Sequence, residues 1–131
     1  MSKNKLQLEY TLNSTSRNII WQLIATAEGL ERWIADRVSI DGTAMTFTWG
    51  DDWRHHECRT ATLVVCDRYK KVRWKWDDED DDSYVEIVMQ RSVVSGQYSL
   101  QITDFFPDDD EEWLQSTWQH NFKRLRRSSG V

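Results

Sequence analysis

The sequence predicts an α+β fold, in which a curved antiparallel sheet of about seven strands is covered by one long C-terminal helix. Several segments alternate apolar and polar residues with a period of two, which is typical of strands with one buried face. Two short segments after the first strand, and a longer one near the C-terminus, show helical spacing instead. A sheet with one apolar face needs a cover, and only the last helix is long enough to supply it.

The first half of the chain is predicted to run strand, helix, helix, hairpin. The segment KLQLEYTL alternates strictly and predicts the first strand. The next segment, NSTSRNIIWQLIATAEG, begins with several capping side chains and keeps helical spacing until Gly29 interrupts it. A second short helix is expected at about Leu30 to Ile34. The segment RVSI, the turn dipeptide Asp41-Gly42 and the segment AMTFTW then predict a β-hairpin.

The second half is predicted to contain four more strands and the long helix. The strands lie in WRHHECRTATLVVCD, KVRWKW, YVEIVMQR and QYSLQITDFF, and the acidic run DDEDDD between the second and the third is expected to be a solvated loop. The helix follows Pro107, and its acidic start and basic end complement the helix macrodipole. Its predicted inner face comprises Leu114, Trp118, Asn121, Phe122 and Leu125.

Composition and charge narrow the class of protein. A chain of 131 residues predicts a single domain, spanning residues 1–131. The net charge of −5 argues against nucleic-acid binding. With two cysteines, no secretion signal and no apolar run near the ~18 residues of a membrane span, we expect a cytoplasmic protein without membrane insertion. Only 39% of the residues are hydrophobic, yet eight are Trp, so the core is either bulky or surrounds a cavity lined by rings.

Two motifs invite a metal site. In HHEC, His55 and Glu57 would face one side of a strand and His56 and Cys58 the other, and two ligands on a face are too few for zinc. A bulge near His55 to Cys58 would change these faces and bring His56 or Glu57 inside. The acidic run lacks the Gly and Glu that a calcium loop requires at its sixth and twelfth positions. We therefore expect no metal and no cofactor.

The cysteines and the basic tail have simpler interpretations. Cys58 and Cys66 are eight residues apart on one predicted strand, which is about 26 Å and far beyond disulfide reach. We expect ordinary thiols. The segment KRLRR could contact nucleic acid or anionic lipid, but cations are also favoured at a helix C-terminus, and this second interpretation is preferred.

The order of elements and the segment IIWQLIATAEGLERWIADRVSIDG resemble the helix-grip superfamily, which holds START-like lipid-binding domains, the birch-pollen-allergen fold and polyketide cyclases. The nearest likeness is to the START-like branch related to activators of the ninety-kilodalton heat-shock chaperone's ATPase. In that branch a Trp-x-x-Leu helix precedes a Gly-Leu-x-x-Trp turn of helix and the first hairpin. Trp21 and Leu23 approximate the first motif, with Leu one place early, and Gly29, Leu30 and Trp33 match the second. The segments GTAMTFTW and KKVRWKW and the Trp-containing last helix also look like this branch.

The resemblance implies a ligand cavity, because the long helix of helix-grip folds closes the curved sheet imperfectly. We expect the cavity to be lined by large side chains on the inward faces of the strands and of the last helix. The candidate ligand-binding residues are Met45, Phe47, Trp49, Trp74, Trp76, Met89, Tyr98, Trp118 and Phe122. The alternative is that these side chains simply fill the core.

The predicted function is non-catalytic binding of an apolar or amphipathic small molecule, with apolar burial supplying the affinity. The alternative is a protein-interaction adaptor similar to the chaperone activators, with a filled core and an acidic surface for a larger protein partner. A cavity of ~300 Å³ or more would favour the first role. A cyclase-type enzyme would need an ionisable side chain inside the cavity, and since the strand faces place none there, no catalytic residue is expected. The sequence leaves the ligand and the oligomeric state open.

Overall fold

The computed structural model describes residues 4–50, 57–79, 82–107 and 109–131, and within them an antiparallel sheet of seven strands carries three helices. The strands are β1 (Asn4–Thr11), β2 (Arg37–Asp41), β3 (Ala44–Trp49), β4 (Glu57–Asp67), β5 (Lys71–Trp76), β6 (Val85–Arg91) and β7 (Tyr98–Phe106). The helices are α1 (Arg17–Ala25), α2 (Ala27–Leu30) and α3 (Glu111–Ser129). The strand order is β1-β7-β6-β5-β4-β3-β2, and every neighbouring pair is antiparallel. The predicted fold class and order of elements are confirmed.

The break between the two short helices lies at Thr26, and the prediction that Gly29 interrupts the first helix was wrong. The Thr26 hydroxyl donates to the carbonyl of Gln22 at 2.6 Å and accepts from the N–H of Gly29 at 3.0 Å. One side chain therefore ends α1 and caps α2. The second helix covers Ala27–Leu30, earlier than the expected segment Leu30 to Ile34, which forms turns after the helix.

Gly29 lies inside α2, at the point where the backbones of α1 and α2 are in contact. A Cβ atom added at Gly29 would lie 1.9 Å from the carbonyl oxygen of Gln22 and 2.6 Å from the Cα atom of Leu23. Both atoms belong to the backbone of α1, so the contact leaves no room for a side chain. The glycine is thus required by packing, and the helix continues through it.

The turn after α2 fixes the start of the sheet's first hairpin. Trp33 is fully buried, and its indole N–H donates to the carbonyl of Leu23 at 2.9 Å. The carboxylate of Glu31 accepts from the backbone N–H of Val38 at 2.9 Å. The chain changes from helix to strand within a few residues because side chains of the turn are bonded both to α1 and to β2.

The hairpin turn is shifted by one residue from its predicted place. Asp41 pairs with Ala44, so Gly42 and Thr43 form the turn, and Gly42 has a φ of +63° that suits a glycine. The sequence predicted Asp41-Gly42 as the turn. The strand pairing keeps Met45 and Phe47 on the buried face, as predicted.

The irregularity in β4 lies away from the HHEC motif. The pairing of β3 with β4 is regular from Trp49 and Glu57 to Ala44 and Thr62. The register shift occurs instead in residues 63–65, against β5. His55 and His56 lie outside the described residues.

The long helix α3 supplies the second layer of the core. Its buried side chains are Leu114, Trp118, Asn121, Phe122 and Leu125, as predicted. The ring of Phe122 stacks on that of Tyr10, with centroids 4.5 Å apart, and Trp118 meets Trp33 edge to face at 6.0 Å. The helix therefore closes against both β1 and the turn after α2. Among the described residues, no helix has the length and apolar character that crossing a membrane requires.

Two basic residues near the end of α3 bind backbone carbonyls of other elements. The guanidinium of Arg124 donates to the carbonyls of Glu31 at 3.3 Å and Ala35 at 3.2 Å. Arg126 donates to the carbonyl of Thr11 at 3.3 Å. Half of the cations in the basic tail thus hold the C-terminal end of α3 in place, in addition to complementing the helix macrodipole.

Candidate functional site

A cavity of about 610 Å³ lies between the N-terminal half of α3 and the sheet. Small-molecule sites typically measure ~300–1,000 Å³. One side is formed by the sheet and its loops, and its described lining residues are Ile34, Trp49, Glu57, Arg59, Trp74, Trp76, Glu79, Val85, Asp104, Phe105, Phe106 and Pro107. The other side is formed by α3 and the residue before it, with Asp110, Trp113, Leu114, Thr117, Trp118 and Asn121.

Three indole rings, on strands β3 and β5, form part of the sheet wall of the cavity. Trp49 on β3 and Trp74 and Trp76 on β5 point inward because each lies on the buried face of its strand. Phe47 lies behind them, with ring centroids 5.3 Å from Trp74 and 4.9 Å from Trp76. The indole N–H of Trp49 donates to the carbonyl of Ile34 at 2.9 Å, which fixes its ring. The wall is therefore built of large, mutually packed rings.

The structure separates the nine candidate ligand-binding residues into two groups. Those that line the cavity are Trp49, Trp74, Trp76 and Trp118. The other five do not line it. Met45, Phe47 and Phe122 fill the core, Met89 is buried on β6, and Tyr98 is half-buried at the start of β7. The alternation of each strand identifies its inward face but does not tell how far along the strand the cavity extends.

An ionisable side chain that the sequence analysis missed lines the cavity. Asp104 lies on β7, where its carboxylate accepts from the indole N–H of Trp118 at 3.0 Å and from the backbone N–H of Phe105 at 2.8 Å. Burial raises the pKa of this carboxyl from 3.8 to about 6. The two hydrogen bonds oppose the rise in pKa, Glu79 adds to it, and the guanidinium of Arg59 opposes it.

The sequence contained a signal for Asp104. The alternation that points Leu100 and Ile102 inward continues to residue 104, two positions further along the strand. The expectation that no ionisable group lies in the cavity was wrong, because the apolar pattern of the segment was followed only as far as Ile102.

Carboxylates outnumber cations around the cavity. The charged residues among the described lining are Glu57, Glu79, Asp104, Asp110 and Arg59. The guanidinium of Arg59 lies over the ring of Trp76, 4.0 Å from its centroid, and forms ion pairs with Asp78 at 2.9 Å and Glu79 at 3.8 Å. The positive charge of the described lining is thus already paired, and the described lining residues together carry a negative charge.

The other motifs from the sequence form no site in the described part of the chain. Cys58 and Cys66 are exposed free thiols, as predicted. Within the described residues, no group of three or more His, Cys, Asp or Glu side chains could hold a metal ion. In the acidic run, Asp77 accepts from the hydroxyl of Thr62 at 2.8 Å, and Asp78 pairs with Arg59. Residues 80–81 of that run lie outside the description.

Comparisons with known proteins agree with this architecture. The chain matches the family model of the START-like superfamily domain over residues 1–131. A search of curated proteins finds no match. Among solved structures, a protein from Bacteroides fragilis has 41% sequence identity and a TM-score of 0.64, and the alignment covers 97% of this chain and 91% of that one.

Two more distant solved structures have the same fold. The Aha1 dimer from Colwellia psychrerythraea is 16% identical, with 98% of this chain and 96% of that chain covered and a TM-score of 0.66. The AHSA1-like protein from Aeromonas hydrophila is 16% identical, with coverages of 97% and 94% and a TM-score of 0.70. These two show the same fold and agree with the branch suggested by the sequence. Since the family model spans the chain and the Bacteroides protein is a clear relative, the chain belongs to the START-like superfamily.

Proposed function

We propose that this protein binds an apolar or amphipathic small molecule in the cavity between α3 and the sheet, without converting it chemically. The observation that carries the proposal is a cavity of about 610 Å³ whose sheet wall includes three indole rings. A ligand that removes apolar surface from water gains roughly 25 cal/mol for each Å² buried. The exposed, unpaired cysteines fit a reducing compartment, and we propose the cytoplasm.

The proposed contacts with the ligand's apolar part are the four tryptophans predicted from the sequence that border the cavity. They are Trp49, Trp74, Trp76 and Trp118. Trp113 borders the cavity as well and is 67% exposed, which places an apolar ring at its mouth. The remaining five candidates support the walls from behind and are not proposed as contacts.

The first experiment is native mass spectrometry of the purified protein, followed by titration of its tryptophan fluorescence with fatty acids, sterols and aromatic polyketides. We expect either a co-purified mass or a saturable change in fluorescence at micromolar ligand. The fluorescence of the tryptophans reports on the cavity because five of the indole rings border it. A protein without bound mass and with flat titrations for all three classes would contradict the proposal.

A pair of variants separates the cavity from the outer surface of the same helix. Thr117 lines the cavity, whereas Gln115 is exposed on α3 and does not. Thr117→Phe places a ring in the cavity, and we expect it to weaken binding of the best ligand roughly tenfold or more, since 1.4 kcal/mol corresponds to that factor. Gln115→Phe adds the same ring outside and should leave the affinity unchanged. Equal affinities for the two variants would place the binding site elsewhere.

An interaction with a larger protein is the second candidate. It is favoured by the likeness to the Aha1 dimer and by the net charge of −5, which would attract a basic surface. An adaptor needs no cavity, so the open volume beneath α3 favours the small-molecule role. If the titrations are flat, capture of partner proteins from a lysate and their identification is the next experiment.

Asp104 also allows a test for chemistry. A cyclase-type reaction needs an acid or a base at the ligand, and this carboxyl is the described lining residue whose pKa is raised. The bound molecule is therefore identified by its mass before and after incubation with the protein. An unchanged mass is expected for a binding protein, and a product mass would contradict the non-catalytic role.

A further inference from the structure

Asp104 carries a negative charge into the cavity, and among the described residues no cation forms an ion pair with it. The hydrogen bonds to its carboxylate come from two neutral groups, the indole N–H of Trp118 and the backbone N–H of Phe105. Burying a carboxylate is unfavourable unless a counter-charge compensates it, so this site is electrostatically incomplete when the cavity is empty.

Arg59 is the one cation among the described lining residues, and it already has anionic partners. Its guanidinium is paired with Asp78 and Glu79 and lies over the ring of Trp76. It therefore forms part of one wall of the cavity, and it opposes the rise in the pKa of Asp104 without forming an ion pair with it. The surplus of carboxylates in the lining, described above, leaves a negative potential for the bound molecule.

The indole rings around the cavity also favour a positively charged ligand. The faces of indole rings attract cations, and Trp is the strongest of the aromatic side chains in this respect. Trp118 serves both purposes, because its N–H holds the Asp104 carboxylate and its ring borders the same cavity. A largely buried carboxylate beside indole rings is a suitable environment for an organic ammonium group.

We propose that the cavity selects an organic cation, an apolar or aromatic body carrying an ammonium group that pairs with Asp104. This inference rests on the proposed function, since it names the ligand class of the same cavity. The ammonium completes the ion pair that the fold leaves open, while the apolar body packs against the tryptophan wall. Charge-assisted hydrogen bonds of this kind are stronger than neutral ones, which makes the head group the source of selectivity.

The test compares decylamine, decanol and decanoate, which share a chain and differ in the head group. Affinities are measured by calorimetry at pH 7.5 and at monomeric ligand concentrations. We expect decylamine to bind roughly tenfold or more tighter than decanol, the factor expected for a charged hydrogen bond. Decanoate should bind more weakly than decanol, because its charge repels the carboxylates of the lining.

Two variants test whether Asp104 is the carboxylate that causes the preference for decylamine over decanol. Asp104→Asn keeps an oxygen that can accept from Trp118, and we expect it to reduce the preference for decylamine over decanol to about one. Asp41→Asn removes an exposed carboxylate at the end of β2, outside the cavity lining, and should keep the wild-type preference. In the wild-type protein, saturation with decylamine should lower the pKa of Asp104, measured by carboxyl NMR, so the proposal is testable even if the Asn variant does not fold.

The possible outcomes separate this inference from the proposed function. Equal affinities for the three ligands would overturn the selection of cations and leave apolar binding intact. Tighter binding of decanoate would overturn it in favour of Arg59 as the recognition group. No binding by any of the three would overturn this inference, whereas the proposed function is contradicted only by flat titrations with fatty acids, sterols and aromatic polyketides as well. A decylamine preference that survives in Asp104→Asn, with an unchanged Asp104 pKa in the wild type, would overturn the assigned role of Asp104.

Discussion

At the scale of single residues, Asp104 makes the stability of the protein depend on pH. Its pKa is 3.8 in an ordinary environment and about 6 in the folded protein, mainly because of burial. Between these values the folded protein binds more protons at this residue than the unfolded chain does. The contribution of Asp104 to the free energy of unfolding is therefore fully present below about pH 4 and is lost as the pH rises through about 6.

Replacing Asp104 by Asn removes the charge that burial disfavours. We expect the stability of Asp104→Asn, relative to the wild type, to be higher at pH 8 than at pH 4 by up to about 3 kcal/mol, since each pKa unit corresponds to roughly 1.4 kcal/mol. Urea unfolding at the two pH values measures this difference. Asp41→Asn, at the exposed end of β2, is the control and should show a much smaller change. The same effect of Asp104→Asn at both pH values would rule out desolvation as the cause.

Asp104 also shows which property of a residue could be predicted from the sequence and which could not. The alternation along β7 is sufficient to place Asp104 on the inward face. Its raised pKa, however, results mainly from the burial that tertiary packing imposes on it, and the hydrogen bond of Trp118, fourteen residues further along the chain, opposes that rise. Such surroundings depend on tertiary packing and are not encoded in local periodicity.

At the scale of secondary-structure elements, the junction of α1 and α2 depends on one glycine. Gly29→Ala would place a Cβ atom 1.9 Å from a backbone carbonyl oxygen of α1. Because backbone atoms cannot move aside as a side chain does, we expect a loss of about 3 kcal/mol or more in the free energy of unfolding. Gly42→Ala is the control, since its Cβ would meet open space and only its positive φ is unfavourable. It should lose about 1–2 kcal/mol, and a loss as large as that of Gly29→Ala would show that crowding is not the reason for glycine.

The elements themselves were largely predictable. Periods of two and of 3.6 residues identified the seven strands, the two short helices and the long helix in the right order. The boundary of α2 was wrong because a glycine near the end of a helical pattern commonly marks its end. The crowding that requires Gly29 involves the neighbouring helix, so no local pattern distinguishes the two roles.

At the scale of the whole molecule, the C-terminal end of α3 is hydrogen-bonded to the end of β1 and to the turn after α2. Arg124→Met removes hydrogen bonds to the carbonyls of Glu31 and Ala35. We expect a loss of about 1–3 kcal/mol in the free energy of unfolding, measured by urea titration. Arg127→Met is the control, because Arg127 lies three residues further along α3, in its last turn, and is exposed. If both variants lose the same amount, the macrodipole explains the role of these cations and the hydrogen bonds do not.

The position of the cavity within the molecule lay beyond the sequence. The resemblance implied a cavity and the alternation identified inward faces, yet five of the nine candidate residues fill or flank the core. Phe47 and Trp49 share a face of β3, but only Trp49 lines the open volume. Where α3 approaches the sheet and where it stands off is decided by the sum of side-chain volumes in both layers.

The two halves of α3 are attached unequally to the rest of the protein, and we expect their amide protons to exchange at different rates. In its second half, the helix is bonded to distant carbonyls through Arg124 and Arg126, and Ser128 and Arg32 exchange two further hydrogen bonds. Its first half borders open volume, and Asp110, the residue before the helix, makes no side-chain capping bond.

Amide protons of residues 114–118 should therefore exchange with deuterium through local opening, at a lower free energy than those of residues 121–126. Two-dimensional NMR in D₂O measures both groups, and equal protection along the helix would contradict the expectation. Opening at this end exposes the cavity while the other end stays bonded. A ligand could then enter and leave at the rate of this local fluctuation, without global unfolding of the protein.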